Sequence, residues 1–449
     1  MEFETKTQSD LGKLSEALES GMQHHAAAFL SDLEPAEIAR LIESLPPTKR
    51  NIVWNLVSAS DDADVLAELN DEVRARLIAG MDTAGVLAAT EGMELDDLAD
   101  VVADLPESIT LQVINSLSRR DRERLEHVLS YPEDSAGGLM NPKTIAVRPN
   151  VSLEVVLRYL RALGQLPDNT YSLFVVDRND HYLGKLRFSR IVSSNPSELV
   201  RDIMDPDAHV FTVEQSAAQV ARDFQDLDMV SAAVLDSERR LLGQITIDDV
   251  VDVIREQADR EILGMAGLDE EDDIFAPVIA STLRRALWLG INLATAFLAA
   301  SVVGLFEGTL EKVVVLAVLM PVVASMGGIA GTQTLTIMVR SMALGRVEDS
   351  NARWLLYKEV AVGMLNGIAW ATVVAIITIV FFSGWDVALV IGAAVAINLV
   401  AAALAGVLVP LTLRRLRIDP ALAGGVVLTT VTDVVGFISF LGLGTLFLT

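Results

Sequence analysis

The sequence predicts a multidomain protein: an all-α helical-repeat N-terminal domain, a tandem pair of α/β modules, and a polytopic α-helical membrane domain of five transmembrane helices. Three observations lead to this prediction. Long stretches with few charges, each near the roughly 20 residues that cross a bilayer, begin only after about residue 286. The first 280 residues contain no such stretch. They carry two internal repeats of different kinds.

Charge is divided unevenly along the chain. Of its 61 acidic and 35 basic residues, 53 acidic and 25 basic ones lie in the first 280, which gives that part a net charge of −28. Such a surplus repels itself unless counterions neutralise it, and it argues against nucleic acid as a partner. Cations are therefore the expected ligands.

Cysteine is absent, and all five histidines precede the membrane part. A thiolate metal site and a His-Glu-x-x-His protease helix in the membrane are therefore both excluded, so we do not expect an enzyme. The N-terminus lacks the basic and apolar regions of a secretory signal, which predicts a cytoplasmic start.

The first segment, residues 1–131, is predicted to be an acidic helical domain. Apolar residues recur at helical spacing, and the pattern of residues 33–46 returns at residues 93–106 with its apolar positions and its final Leu-Pro aligned. A stack of short helices, each burying its face on the next, accounts for such a repeat.

The second segment, residues 132–255, alternates β-branched strands with helices and is itself duplicated. Three short sequence motifs near residues 139, 174 and 183 recur near residues 203, 233 and 242. The order of strand, glycine turn, strand and helix resembles that of paired CBS domains, which regulate many enzymes and transporters.

Residues 256–281 are predicted to connect this pair to the membrane. The stretch from residue 248 to residue 273 is rich in acidic side chains, and its first part has the pattern of one continuous helix. A helix here would couple the two regions mechanically.

Residues 282–449 are predicted to form the membrane domain. Five spans are expected near residues 286–305, 313–338, 360–382, 387–413 and 422–448. Arginines flank the first span and occupy the loops after the second and fourth spans, whereas Lys312 is the one basic residue of the alternate loops. The positive-inside rule then places the N-terminus in the cytoplasm and the C-terminus outside the inner membrane.

Asp433 is the residue most indicative of function, because an ionised side chain in a span usually faces water or a partner. Thr429 and Thr430 precede it by one helical turn, nearly on the same face. Hydroxyl, carbonyl and carboxylate oxygens suit a hard cation such as Mg²⁺. The alternative is a carboxylate capped by a neighbouring group for packing.

The second span contains Pro321 and a glycine-rich run at residues 325–333. Irregular backbone lining a cavity and close helix packing through small residues both explain this composition. Asn292, Asn366 and Asn398 lie in other spans, where hydrogen bonding between helices is a more common role than ligation.

Taken together, these motifs resemble the MgtE-type magnesium channels along nearly the whole chain. The resemblance rests on the helical repeats ending in Leu-Pro, on Tyr-Pro-Glu-Asp-Ser-Ala-Gly at residues 131–137, on Pro321 with its glycine-rich run, and on Thr-Thr-Val-Thr-Asp at residues 429–433. One departure is Ile329, where family members commonly have Asn after the paired glycines. That difference removes an oxygen donor.

The resemblance implies a homodimer whose two copies of Asp433 face a hydrated Mg²⁺ on the two-fold axis. It also implies regulatory Mg²⁺ that bridges the helical domain, the CBS pair and the connecting helix and holds the pore closed. The matching positions are Asp97, Asp100, Asp104, Asp248, Asp249, Asp252, Glu256, Asp259 and Glu261. CBS pairs can bind adenine nucleotides too, but no pattern here is specific enough to assign one.

Two other functions fit the same residues. A coupled divalent-cation carrier or exporter would use Asp433 to bind a proton or Na⁺ alternately with the cation. A membrane Mg²⁺ sensor without transport would keep the acidic domain and leave Asp433 idle. Flux and current measurements separate these from a channel.

Overall fold

The computed structural model describes residues 2–20, 22–103, 105–164, 166, 170–268, 274–347, 350–382 and 384–449, with residues 2–9 described by their backbone. Contacts divide the chain into two compact units. The first contains Met1–Gln257 together with the segment that ends at Ala276, and the second contains Ala258–Asp272 and Pro277–Thr449. Each unit is treated by itself below.

The first unit begins with ten short helices: α1 (Glu2–Glu19), α2 (Gln23–Leu30), α3 (Pro35–Glu43), α4 (Pro47–Trp54), α5 (Asp62–Ala67), α6 (Asp71–Ala79), α7 (Thr83–Ala89), α8 (Leu95–Ala103), α9 (Glu107–Ser116) and α10 (Arg119–Val128). The predicted repeat is confirmed by burial. Positions 38, 39, 41 and 42 of α3 and positions 98, 99, 101 and 102 of α8 are all buried, in the same register. Both helices therefore present the same apolar face to the core.

The duplicated α/β part is confirmed as well. Its elements are β1 (Ala146–Val147), α11 (Leu153–Leu163), β2 (Ser172–Val176), β3 (Tyr182–Arg187), α12 (Phe188–Ser193), α13 (Val200–Ile203), β4 (Val210–Thr212), α14 (Ala217–Asp226), β5 (Ser231–Leu235), β6 (Leu241–Thr246) and α15 (Ile247–Gly264). They form two three-stranded sheets, β1-β2-β3 and β4-β5-β6, each with one parallel and one antiparallel pair. The side chains of β2 and β5 are buried throughout, and the hydroxyl oxygens of Ser172 and Ser231 lie 3.0 Å apart.

The second unit contains α16 (Val278–Gly304), α17 (Glu307–Lys312), α18 (Val315–Ala343), α19 (Ala352–Phe382), α20 (Trp385–Arg415) and α21 (Pro420–Leu448). Five of these helices, all except α17, are long and apolar enough to cross a membrane, as the sequence predicts. The helix α20 is central and its apolar side chains are largely buried, whereas α16 buries only Ala299.

Two predicted details of the elements are refined by the structure. The helix α18 runs without a break through Pro321. Close packing accounts for Gly327 and Gly331, where a Cβ would meet Asn398 or Leu428, whereas a Cβ on Gly328 would meet nothing within 4 Å. The connecting helix is part of α15, which continues from the second α/β module across the predicted border at residues 255 and 256.

Candidate functional site

Asp433 lies near the middle of α21, a helix that begins at Pro420 with the side chain of Asp419 accepting a hydrogen bond from the backbone N–H of Ala421 at 2.8 Å. The buried stripe of α21 faces the other helices of the unit and consists of Ala421, Gly424, Leu428, Thr432, Gly436, Phe440, Leu441 and Gly444. Asp433 lies beside this stripe and is partly exposed. Its carboxylate makes no hydrogen bond or ion pair within the part of the chain that the structure describes.

The hydroxyls of Thr429 and Thr430 donate to the carbonyl oxygens of Gly425 and Val426, at 2.9 and 2.7 Å. Since their hydrogens are used inside the helix, their remaining lone pairs can accept from a hydrated ion. Thr429 is exposed and lies four residues before Asp433, on the same helical face. A carboxylate and a hydroxyl oxygen are thus presented outward together.

The glycine-rich helix α18 packs closely against α21, with glycines at positions where the two helices approach. A Cβ on Gly331 would lie 2.9 Å from the side chain of Leu428, and one on Gly424 would lie 3.1 Å from Leu335. Ile329 is 61% exposed, so its apolar side chain points away from the unit's own core. The outward face of α18 therefore offers a hydrocarbon group where an oxygen donor was expected from the family pattern.

Two buried polar residues in the membrane helices were not predicted as part of any site. Glu359 of α19 is nearly fully buried; its carboxylate accepts from the hydroxyl of Thr334 at 3.3 Å and pairs with Lys358 at 2.5 Å. Asn398 of α20 is fully buried and donates to the carbonyl oxygen of Val323 at 2.9 Å, which confirms its expected interhelical role. Asn292 instead donates to Trp288 on its own helix.

The end of α15 contacts the membrane helices within the second unit. A Cβ on Gly264 would lie 3.4 Å from that of Ala421 on α21, and the hydroxyl of Thr336 on α18 lies 3.8 Å from the sulfur of Met265. Burial raises the pKa of Glu261, and Asp419 raises it further while the guanidinium of Arg340 lowers it. The connecting helix therefore ends directly against the two helices that carry the glycine run and Asp433.

Acidic residues of the first unit gather where α5 and α8 approach the start of α15. Of the predicted regulatory residues, Asp97, Asp248, Asp249 and Asp252 influence one another electrostatically or through shared acidic neighbours. The structure adds three that sequence reasoning missed, namely Glu68, Glu94 and Asp96. This set of seven is called the acidic cluster below.

Burial, followed by nearby carboxylates, raises the pKa of Asp97 and Asp249 in the acidic cluster. Burial raises the pKa of Asp97 to about 6, helped by Glu94 and Glu68, although Arg74 opposes the shift. Burial also raises the pKa of Asp249 to about 7, even though its carboxylate accepts from the N–H and the hydroxyl of Thr246 at 2.9 and 3.0 Å. A bound cation would favour the ionised form of both carboxyl groups and lower their pKa values.

The acidic cluster is tied to the rest of the unit by Glu94. Its carboxylate accepts a hydrogen bond from the side-chain amide of Asn141, which lies shortly before β1 in the duplicated α/β segment. One carboxyl oxygen of Asp96 is buried without a hydrogen-bond partner among the described residues. A buried oxygen of this kind favours a bound water or cation.

Other predicted regulatory residues are not among the seven of the acidic cluster. Asp100 is exposed on α8, where its charged neighbours include Asp97 of the acidic cluster, Arg74 and Glu133. Glu256 and Asp259 are exposed on α15. Asp104 and the acidic residues 269–273 lie outside the described residues. Among the residues described, no three acidic or histidine side chains are close enough together to hold a metal ion.

The signals for the missed acids were weak. Glu68 follows the short helix α5, and Glu94 and Asp96 stand at the start of the second repeat copy, where acidic side chains are ordinary helix-starting residues. Their proximity to Asp248 and Asp249 depends on tertiary structure, which repeat periodicity does not reveal.

These features define a class: a polytopic membrane transport protein with a large acidic soluble part, built of a helical domain and a CBS pair. Comparison with known proteins agrees. Residues 33–134 match the MgtE intracellular N domain, residues 200–256 match the CBS domain, and residues 320–443 match the MgtE divalent cation transporter domain.

The most similar curated relatives include the magnesium transporter MgtE of Thermus thermophilus, 30% identical over 97% of this chain and 98% of that protein, and that of Bacillus subtilis, 23% identical over 96% of each. The chain belongs to the MgtE family of divalent cation transporters. Among solved structures, the cytosolic domain of the Mg²⁺ channel MgtE in complex with ATP is 30% identical. The match covers 54% of this chain and 99% of the solved cytosolic domain, with a TM-score of 0.50.

Proposed function

We propose that this protein is a Mg²⁺-selective channel that mediates Mg²⁺ uptake down its electrochemical gradient. The observation that supports this most is Asp433: a carboxylate in mid-span, without a protein partner among the described residues, next to the outward hydroxyl of Thr429. A charge at this depth is costly unless it meets water or an ion. Mg²⁺ retains several waters and needs few direct protein ligands, so two such carboxylates suffice.

The second carboxylate comes from a second copy of the chain. Asp433 and Thr429 point away from the buried stripe of α21, and a homodimer with its two-fold axis at this face would place two copies of each around one ion. Lipid would cover the remaining apolar surface of α16 and α19. The arginine-rich loops support an N-terminus in the cytoplasm and a C-terminus outside the inner membrane.

Gating is assigned to the acidic cluster and to Glu256, Asp259 and Glu261 of α15. Burial and, after it, repulsion between neighbouring carboxylates raise the pKa of Asp97 and Asp249. Intracellular Mg²⁺ bound there would relieve that repulsion and so stabilise one arrangement of the soluble part. The helix α15 continues to Gly264 and ends against α18 and α21. A change in that arrangement would therefore move the two helices that carry the ion-facing residues. We assign this Mg²⁺-bound state to the closed channel.

The CBS pair is a second place for a regulator. The related cytosolic domain was crystallised with ATP. In this chain the half-buried ammonium of Lys185 donates to the carbonyl oxygen of Ser231 and has a pKa lowered by burial to about 8. The hydroxyl of Tyr182 is buried without a partner among the described residues. A cationic donor and an unsatisfied hydroxyl support an adenine nucleotide as a ligand of the pair.

Mg²⁺ uptake into dye-loaded proteoliposomes tests the transport function. Asp433→Asn should abolish most of the flux, whereas Asp386→Asn, which removes an exposed carboxylate at the start of α20, should leave it unchanged. Electrical current that follows Mg²⁺ without a counter-transported ion supports a channel over an exchanger. Folded wild-type protein that passes no ion at low internal Mg²⁺ would instead support a sensor.

Limited proteolysis between residues 248 and 273 tests gating. Millimolar Mg²⁺ should protect this segment in the wild type, and Asp97→Asn combined with Asp249→Asn should shift protection to higher Mg²⁺. Cleavage that does not respond to Mg²⁺ would contradict a regulatory role for the acidic cluster.

A further inference from the structure

The side-chain amide of Asn398 enters the junction of three membrane helices. Asn398 belongs to α20 and is fully buried, and its Nδ2 donates to the carbonyl oxygen of Val323 on α18 at 2.9 Å. Its Oδ1 is buried and has no partner among the described residues. An unpaired amide oxygen in an apolar interior is unfavourable, so packing alone would favour a leucine of similar size.

Glycines on two helices make room for this amide. A Cβ on Gly327 of α18 would lie 2.2 Å from Nδ2, and a Cβ on Gly436 of α21 would lie 2.7 Å from the same atom. Real Cβ atoms do not approach other atoms so closely, and so an alanine at either position would displace the amide or its helix. Asn398, Gly327 and Gly436 therefore form an interlock between α18, α20 and α21.

The interlock lies beside the proposed ion path. Gly436 follows Asp433 by three residues on α21, and Gly327 begins the paired glycines that precede Ile329 on α18. Less than one helical turn separates the amide's entry point from the carboxylate. A change in the position of the amide would consequently shift the two helices that carry the ion-facing residues.

We propose that Asn398 is a positioning residue that sets the spacing of α18 and α21 around the ion path, and thereby determines which divalent cation passes. This inference rests on the proposed transport function. Oxygen ligands lie about 2.0–2.1 Å from Mg²⁺ and about 2.3–2.6 Å from Ca²⁺, so displacements of a few tenths of an ångström distinguish the two ions. A hydrogen bond that holds one helix against another controls displacements of that size.

The ratio of Mg²⁺ to Ca²⁺ flux in dye-loaded proteoliposomes tests this role, because altered packing alone would lower both fluxes together. Asn398→Leu should lower the ratio by about threefold or more, a factor that corresponds to the average free energy of one interhelical hydrogen bond in a membrane protein. Asn292→Leu is the matched control, since that amide also donates to a carbonyl at 2.9 Å but does so within its own exposed helix. Its ratio should match that of the wild type.

Two further variants keep the test decisive. If Asn398→Leu does not fold, Asn398→Ser, which keeps a donor but shortens its reach, is held to the same criterion. Gly436→Ala moves the amide from the opposite side and should change the ratio in the same direction. An unchanged ratio in the folded variants, with or without a loss of total flux, overturns the positioning role. Absence of flux in the wild type would overturn the proposed transport function itself.

Discussion

Two carboxylates in the membrane helices differ in what surrounds them. Glu359 is nearly enclosed, and its oxygens are occupied by Thr334 and Lys358. Asp433 has no such partners in the described chain and stands next to outward hydroxyl groups. A satisfied carboxylate stabilises helix packing, whereas an unsatisfied one at mid-span is available to an ion. The two therefore predict opposite effects on stability and transport.

Replacing Thr334 with valine removes the hydroxyl that donates to Glu359 and leaves a nearly fully buried carboxylate oxygen without that bond. We expect Thr334→Val to lower the free energy of unfolding by about 1–3 kcal/mol. Thermal unfolding in detergent measures this change. Glu311→Ala, at an exposed carboxylate of α17, is the control and should change stability little. Equal midpoints for both variants would show that the Thr334 bond does not hold α18 and α19 together.

The raised pKa values of Asp97 and Asp249 predict how pH acts on the soluble part. Because each pKa in the folded protein exceeds the ordinary value of 3.8, protonation stabilises the fold. That stabilisation is complete below about pH 4 and is lost as the pH rises through about 6 for Asp97 and about 7 for Asp249. Mg²⁺ binds the ionised carboxylates, so the apparent affinity of the acidic cluster for Mg²⁺ should increase as the pH rises.

Thermal unfolding of the whole protein in a chelator should therefore give a higher midpoint at pH 5.5 than at pH 8. The Mg²⁺ concentration that protects residues 248–273 from proteolysis should be higher at pH 6 than at pH 8. Asp97→Asn combined with Asp249→Asn removes both groups and should flatten both dependences. Wild-type protein whose midpoint rises with pH would contradict the assignment of these two residues.

Helices α19 and α20 pack through glycines placed where their backbones approach. A Cβ on Gly363 would lie 2.8 Å from the Cβ of Ala403 and 3.1 Å from the carbonyl oxygen of Leu399, whereas one on Gly290 of α16 would meet nothing within 4 Å. Since alanine has the higher helix propensity, the two substitutions should change stability in opposite directions.

Gly363→Ala is expected to destabilise the protein by about 1–3 kcal/mol, because two backbones must separate. Gly290→Ala should be neutral or stabilising by up to about 1 kcal/mol. Thermal unfolding of both variants in detergent compares them directly. A stabilising Gly363→Ala would mean that α19 and α20 are further apart than described.

The elements that sequence periodicity predicts best are those whose pattern is local. The five spans, the helical repeat and the duplicated α/β module each leave a regular apolar pattern, and each is confirmed. Helix ends are less predictable: α16 begins at Val278, several residues before the apolar run, because helices extend past the bilayer into charged segments. Pro321 falls in the second turn of α18, where a missing hydrogen bond does not end the helix.

The site residues also differ in whether a local sequence pattern or only a tertiary contact reveals them. Asp433 can be identified from sequence because a single charge in an apolar run is unusual on its own. Lys358 and Glu359 lie at the edge of a span, where they resemble an ordinary interfacial ion pair. The role of Asn398 depends on its contacts with glycines of two other helices, which the sequence alone does not show. The acidic cluster is similar, since α5, α8 and α15 are brought together by tertiary packing that no local pattern encodes.

Over the whole molecule, acidity and apolarity are separated between the two ends of the chain. The first 280 residues carry a net charge of −28, while the last 169 carry eight acidic and ten basic residues. The basic residues lie mostly in alternate loops, where they favour the cytoplasmic side. This distribution predicts that the acidic part and the arginine-bearing loops face the same compartment.

The absence of cysteine makes this topology directly measurable, because any introduced thiol is the only one in the chain. Ser350→Cys places a thiol in the exposed turn between α18 and α19, and Gly308→Cys places one on α17, where a side chain meets nothing within 4 Å. In intact cells a membrane-impermeant maleimide should label the thiol at position 308 and spare the one at position 350. Thr449→Cys should be labelled like position 308, since five spans place the two ends of the chain on opposite sides.

Permeabilised cells provide the control, in which all three thiols should react. Labelling of position 350 in intact cells together with protection of position 308 would invert the orientation. The acidic cluster would then face the outside, where it could not sense intracellular Mg²⁺, and the proposed gating would fail even if Asp433 conducts. Labelling of positions 308 and 350 but not 449 would instead indicate that α18 does not cross the membrane and that an odd number of crossings separates positions 350 and 449. The pattern of three labels thus tests the span count and the side of the regulatory part in one experiment.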